Sequence, residues 1–183
     1  MAGVAVMVID VQREFFCGPS ASYRSDEVIG GINRLTAAAR LALAPVFFVQ
    51  HDGAPGAEVA LGTEGWQLHP ALLRTGDDCV VHKTVGDSFH ETTLDGQLER
   101  LSIDRLLVCG YATEFCVDTA ARRAVTLGYR TTVVSDLHTT QQRAHLMPEQ
   151  IVAHHNWVWA NSSMAGNRVC VSPLSDVLVR EFA

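Results

Sequence analysis

Three residues whose types suit nucleophilic chemistry fall at matching places along the chain: Asp10, Lys83 and Cys116. Asp10 follows the apolar run Val4–Ile9, Lys83 follows Cys79–His82, and Cys116 lies just beyond Leu106–Cys109. A free thiol is only a few per cent ionised at neutral pH, so it needs activation before it can attack a carbonyl. A neighbouring ammonium or a helix N-terminus favours the thiolate, which here gives Lys83 and the helix carrying Cys116 that role. A carboxylate such as Asp10 can accept the thiol proton and later deliver it to a leaving amine. Backbone N–H groups in the turn before Cys116 can hold an oxyanion. The same three residues can equally form a buried Asp–Lys ion pair with an inert cysteine beside it.

The chemistry depends on elements that bring these residues to one place. Arg105–Gly128 is the central stretch. Leu106–Cys109 has the unbroken apolar character of a strand covered on both faces, and Gly110 is expected to end it. A helix is expected from near Glu114, with Val117, Ala120, Ala121, Ala124 and Leu127 on one face and Gly128 as its C-terminal stop. Cys116 then lies in the first turn of a helix past the carboxyl end of a strand, where open α/β sheets keep their sites.

The remainder of the chain repeats this pattern. Val11–Phe16 reads as a loop closed by Gly18 and Pro19. Ser25 or Asp26 can cap a helix that carries Val28, Ile29, Ile32, Leu35 and Ala39 on one face, with Pro45 beyond its end. Val46–Val49, Cys79–His82, Thr131–Val134 and Arg168–Val171 read as further strands. Leu94, Leu98 and Leu101 mark a short helix. Pro148 opens another that runs to about Trp159, and Ser172 with Pro173 caps a last one carrying Leu174, Val177 and Leu178. Residues 51–70 are rich in Gly and Pro and form a long loop, a kind of segment that is usually functional or mobile. The alternation predicts one doubly wound α/β domain over residues 1–183, with a six-stranded, mostly parallel sheet and helices on both faces. Asp10, Lys83 and Cys116 would share one rim of it.

Composition narrows the partners. The 183 residues are 48% hydrophobic and 19% charged, a globular balance. The net charge is −6 and no basic cluster exceeds Arg122-Arg123, which argues against nucleic acid or an anionic membrane as a partner. The five cysteines are odd in number, widely spaced and without a C-x-x-C pair, so neither a disulfide framework nor a zinc ribbon is suggested. Reduced thiols point to the cytoplasm. The apolar N-terminus has no basic n-region and reads as a first strand rather than a signal peptide. No G-x-G-x-x-G or phosphate loop occurs, so no nucleotide cofactor is expected.

Several ordered motifs resemble the isochorismatase-like cysteine hydrolase family over nearly the whole chain. VIDVQREFF is similar to the family's first strand with its catalytic aspartate, here Asp10. GTEGWQLHPAL (62–72) resembles a family loop, HKTVGDSF (82–89) the lysine segment with Lys83, and GYATEFCVDTAARRA (110–124) the nucleophile segment with Cys116. VSDLHTT (134–140) and PEQIVAHHN (148–156) resemble the amidase-type branch that includes streptothricin hydrolases. The resemblance implies hydrolysis of a C–N bond through an acyl-enzyme on Cys116. Asp10 would shuttle the proton, and Lys83 would stabilise the thiolate and fix Asp10. It also implies a non-prolyl cis peptide between Tyr111 and Ala112, with the N–H groups of Ala112 and Cys116 facing the oxyanion. Family members commonly form dimers or tetramers, which implies a homodimer or homotetramer acting on a small-molecule substrate.

Cys116 sets the chain apart from vinyl-ether-cleaving isochorismatases, which lack a cysteine there. Nicotinamidases resemble it in the triad but carry a metal cluster after the second strand. Here only His51, Asp52 and His69 are available, and they do not match the D-x-H spacing, so no metal is expected. What remains is metal-independent amide, lactam, ureido or carbamoyl hydrolysis, with a nicotinamidase, a vinyl ether hydrolase or a non-catalytic assembly member as rivals. By position, Phe15, Trp66, Phe89 and Tyr111 are candidates for the substrate pocket, and Gln12 for orienting substrate or Asp10. Phe16 has a similar place, Glu114 can cap the helix, and Thr139 and Thr140 can reach the rim or form a turn.

Overall fold

In the computed structural model, which describes residues 3–18, 21–164 and 167–183, six strands form a single sheet. They are β1 (Gly3–Ile9), β2 (Val46–His51), β3 (Cys79–Lys83), β4 (Ile103–Tyr111), β5 (Arg130–Thr139) and β6 (Cys170–Ser172). Their order is β3-β2-β1-β4-β5-β6 and every neighbouring pair is parallel. Six α-helices accompany them: α1 (Arg13–Phe16), α2 (Ser25–Leu41), α3 (Leu94–Arg100), α4 (Asp118–Thr126), α5 (Pro148–Asn161) and α6 (Leu174–Phe182). A π-helical turn, Thr113–Val117, joins β4 to α4.

The apolar runs follow from this layering. Successive residues of β1 point to opposite faces, and both faces are covered. Val4, Val6 and Val8 pack with α2 and α6, through Val28, Ile32, Leu35, Leu174 and Val177. Ala5, Met7 and Ile9 pack on the other side with Leu94 and Leu98 of α3, Ala120 and Ala124 of α4, and Trp159 of α5. A strand buried on both sides must be apolar throughout, which is why β1, β2 and β4 read as runs rather than alternations. Among the described residues no helix is long and apolar enough to cross a membrane.

Several boundaries differ from the expectations. Residues 13–16, expected as loop, form the one-turn α1. Pro19 lies outside the described residues. Ser25 is the first residue of α2, and the cap position belongs to Arg24 in a left-handed conformation with no side-chain cap bond. Ser172 does not cap α6; Asp136 Oδ1 accepts the Leu174 N–H at 2.8 Å instead. β5 is longer than Thr131–Val134 because its register against β4 shifts after Val133, and it resumes with His138 opposite Gly110. Such a bulge re-aims the strand that follows it.

Gly110 does not end β4. It continues the strand at φ 118°, paired with Ile9. A Cβ built there would lie 2.1 Å from the Ile9 carbonyl oxygen and 2.7 Å from its nitrogen. The close approach of β1 and β4, which lead into Asp10 and the turn that holds Cys116, therefore requires glycine. We expect Gly110→Ala to destabilise the fold by about 3 kcal/mol or more, because both the backbone conformation and the space oppose a side chain. The urea unfolding midpoint checks this, and an unchanged midpoint would contradict it.

Candidate active site

Asp10 sits where the chain leaves β1. Its φ of 50° turns the backbone out of the strand, and its N–H donates to the Val49 carbonyl at 2.9 Å. Lys83 closes β3 two strands away. The Lys83 ammonium donates to Asp10 Oδ2 at 2.8 Å, to the Val85 carbonyl at 3.2 Å and to Cys116 Sγ at 3.3 Å, so all three of its protons have partners. The Asp10 and Lys83 side chains are 2% and 0% exposed. Asp10 Oδ1 is buried and has no hydrogen-bond partner.

Cys116 lies in the π-helical turn rather than in the first turn of a regular α-helix. The Ala112 carbonyl accepts the N–H groups of Phe115 at 3.0 Å and Val117 at 3.1 Å, passing over Cys116 between them. The Tyr111–Ala112 peptide bond is cis. The turn is held from below by His138, a buried residue on β5. Its Nδ1 pairs with Thr113 Oγ1 at 2.9 Å, and its Nε2 with Asn156 Oδ1 at 3.0 Å.

Electrostatics correct the expectation of a lowered thiol pKa. Burial pushes the Cys116 thiol up to about 12; the Asp10 carboxylate adds to this, and the opposing Lys83 ammonium does not offset it. Burial also works against the Lys83 ammonium, but Asp10 and Cys116 outweigh it and hold Lys83 above its ordinary value. The site thus holds a neutral thiol beside an ion pair.

A cavity of about 360 Å³ opens above these groups. Asp10, Cys116 and Ala112 line it beside Phe15 and Tyr111, whose rings stack with centroids 4.5 Å apart. His51, Gly86, Phe115 and Arg143 complete the wall. Arg143 donates to Glu114 Oε1 at 2.7 Å and to Thr140 Oγ1 at 3.0 Å, and its guanidinium lies 5.2 Å from the Phe115 ring centre.

Of the expected pocket residues, Phe15 and Tyr111 line the cavity and three others do not. Gln12 is fully buried: its amide donates to the carbonyls of His51 at 3.0 Å and Trp66 at 2.8 Å, while its oxygen accepts the His51 N–H at 2.9 Å. It orients backbone, leaving no free amide proton for substrate. Trp66 stacks on His82 and donates to Asp52 Oδ1 at 2.6 Å, which fastens the long loop to the sheet. Phe89 is in the core against Tyr129. Glu114 pairs with Arg143 and Thr140 rather than capping a helix, and the Thr139 hydroxyl donates to the Tyr23 carbonyl. Phe16 packs in the core near Tyr111. Asp52 is engaged by Trp66 and His82, and His69 lies beside Phe16, so neither joins His51. Among the described residues no three His, Cys, Asp or Glu side chains converge on one point.

Sequence reasoning missed Phe115, Gly86 and Arg143, and weighed His51 as a metal ligand against a surface or loop-packing role. Phe115, next to Cys116 in the sequence, was the detectable one. Arg143 lies in an irregular segment with no periodicity to read.

The chain matches the Isochorismatase domain model over residues 4–150. It is 40% identical over 136 residues to a streptothricin hydrolase of Streptomyces noursei, covering 74% of this chain and 49% of that protein. A second streptothricin hydrolase of the same organism is 38% identical, with 74% and 54% covered. The chain thus spans about half the length of these curated relatives. The crystal structure of an isochorismatase from Pseudomonas putida KT2440 is similar in fold, with a TM-score of 0.86 at 30% identity, covering 94% of this chain and 89% of that one.

Two outcomes follow from the electrostatics. Burial holds the His138 imidazole down at about 4. The unfolded chain, with an ordinary value of 6.5, therefore binds a proton that the folded chain refuses. Stability from this group is complete above the unfolded value and is lost as pH falls toward the folded one. We expect a loss of about 3 kcal/mol across that window, seen as a falling urea midpoint, and a flatter profile in His138→Gln. For Cys116, Asp10→Asn removes a negative charge that raises the thiol. Its ultraviolet thiolate signal, taken as the difference from the same variant with Cys116→Ala, should appear at lower pH than in the unmodified protein. A rise in that midpoint would contradict the stated electrostatics.

Proposed function

The chain belongs to the isochorismatase family, and on that premise we propose that it is a metal-independent cysteine hydrolase. It cleaves a C–N bond of a small molecule, in an amide, lactam, ureido or carbamoyl group, through an acyl-enzyme on Cys116. The observation that carries this reading is the convergence of the buried Lys83 ammonium on Asp10 at 2.8 Å and on Cys116 at 3.3 Å, with Asp10 and Cys116 lining one cavity. The hydrolase names of the relatives support it at the level of reaction class.

The geometry supports the following roles. Cys116 Sγ attacks the substrate carbonyl, and its proton passes to the carboxylate of Asp10, whose Oδ1 has no other partner. Concerted removal suits a thiol held near 12, since a preformed thiolate would be scarce. The N–H of Cys116, passed over by the Ala112 carbonyl, and the N–H of Ala112 stabilise the oxyanion. Asp10 then protonates the leaving nitrogen as the C–N bond breaks, which leaves a thioester and a free amine or ammonia. Water attacks the thioester and gives a proton to Asp10. Collapse releases the carboxylic acid, and Asp10 returns the proton to the sulfur. Lys83 holds Asp10 in place throughout, through a buried charge-assisted bond.

The test is a screen of small amides, lactams, ureas and carbamoyl compounds, read by ammonia release and by mass change, because a lactam releases no ammonia. Cys116→Ala and Asp10→Asn should each lower turnover by about 10³-fold or more. Turnover that survives Cys116→Ala would overturn the acyl-enzyme. Nicotinamide belongs in the screen, and turnover stimulated by an added divalent metal would favour a metal-dependent amidase instead.

A further inference from the structure

The amino ends of the strands, opposite the catalytic cavity, gather positive charge in a chain whose net charge is −6. Lys and Arg together number 14, and four of them, Arg105, Arg130, Arg168 and Arg180, line one groove of about 300 Å³ beside Cys170. The topology makes this groove. β6 has three residues and pairs with Thr132–Val134 of β5, so Arg130 and Thr131 have no β6 neighbour and the edge of the sheet is notched there. Arg168 lies on the segment that leads into β6, just beyond the notch. Arg105 stands directly opposite Arg130 in the β4–β5 register, and Arg180 comes from the last turn of α6.

The carboxylates at this end do not balance the arginines. Glu181 accepts from both Arg105 and the Arg180 Nε–H, the latter at 2.8 Å. Asp104 accepts from Arg130. Two carboxylates thus serve three guanidinium groups, and the exposed Arg168 has no side-chain partner among the described residues. Arg105 Nε is buried without a hydrogen-bond partner, since Asp104 Oδ1 at 3.9 Å is out of range. Like charges facing each other across paired strands repel, so Arg105 opposite Arg130 is a local cost that a bound anion would relieve.

We propose that this groove binds a small multivalent anion that carries phosphate or carboxylate groups. The planar guanidinium presents paired N–H donors that match the oxygens of either group. The volume suits a small molecule, and the chain's overall negative charge opposes an extended polyanion. The groove is a site apart from the cavity: Arg105 is near the start of β4 and Tyr111 at its end, about 20 Å away along the strand. Its occupancy does not depend on the acyl-enzyme reading.

Cys170 supplies a local probe. It is exposed and lines the groove, whereas the exposed Cys17 lies elsewhere and serves as the internal reference. Both thiols are alkylated with iodoacetamide, sulfur displacing iodide with loss of the thiol proton, and the two rates are read by peptide-level mass spectrometry. Pyrophosphate or citrate is added at millimolar concentration, with ionic strength held constant by sodium chloride. We expect an added anion to slow Cys170 several-fold relative to Cys17, by covering the thiol and disfavouring its thiolate. Protection by pyrophosphate alone assigns a phosphate ligand, by citrate alone a carboxylate ligand, and by both the shared chemistry. Arg168→Gln removes no contact of the fold and should raise the half-protecting concentration about fivefold or more, and Arg130→Gln should act in the same direction. Arg34→Gln, at an exposed position of α2, should leave it unchanged. Failure of both anions to protect Cys170 would overturn the proposal. So would an equal weakening by Arg34→Gln, which indicates diffuse attraction, or loss of protection in Arg143→Gln with protection intact in Arg168→Gln, which places the anion in the catalytic cavity.

Discussion

The ion pair between Asp10 and Lys83 is the interaction on which the rim depends. Two charges that are almost wholly removed from water are tolerable only together, since each alone would carry a desolvation cost of several kcal/mol. The pair spans β2, so it also ties the end of β1 to the end of β3. Burial raises the thiol beside it, and the pair does not reverse this. The ammonium is already committed to the carboxylate, and the carboxylate's own field opposes a second negative charge at Cys116. One carboxylate oxygen of the pair is left without a hydrogen-bond partner, and the proposed proton shuttle uses that oxygen.

Everything around the pair limits its movement. Gln12 uses its whole amide on the backbone of His51 and the carbonyl of Trp66, and so locks the end of β2 and the long loop to the start of α1. Gln50 reaches the same Trp66 carbonyl at 2.8 Å. On the other side, the bulge in β5 brings His138 under the turn that holds Cys116, where a neutral imidazole donates with one nitrogen and accepts with the other. The cavity is thus bounded by strand ends and short turns held by buried polar bonds, a rigid support for a site that must hold reacting atoms within a fraction of an ångström.

Residue patterns carried much of this. Strands buried on both faces have to be apolar, so β1, β2 and β4 were readable as runs, and the helix face of Val28, Ile29, Ile32, Leu35 and Ala39 is buried as its spacing demanded. With parallel strands and intervening helices, Asp10, Lys83 and Cys116 could be assigned to one rim before any coordinates. Phe15 and Tyr111 were identifiable as pocket residues because they adjoin strand ends that face it. Trp66 and Phe89 adjoin similar motifs but turn into the loop and the core. Proximity along the chain says nothing about which way an aromatic ring faces.

The amino-acid sequence by itself determined the layering and brought Asp10, Lys83 and Cys116 to one rim, because these depend on periodicity and strand order; the roles proposed for them rest on the family resemblance. The tertiary structure decided the sign of the thiol's pKa shift, the bulge that seats His138, the use of Gln12 as a clamp, and the presence of Arg143 and His51 in the cavity wall. Those outcomes depend on desolvation and on contacts between residues far apart in the chain. Burial of Cys116 is a property of everything packed around it, and it outweighs the neighbouring ammonium that residue type alone would have favoured.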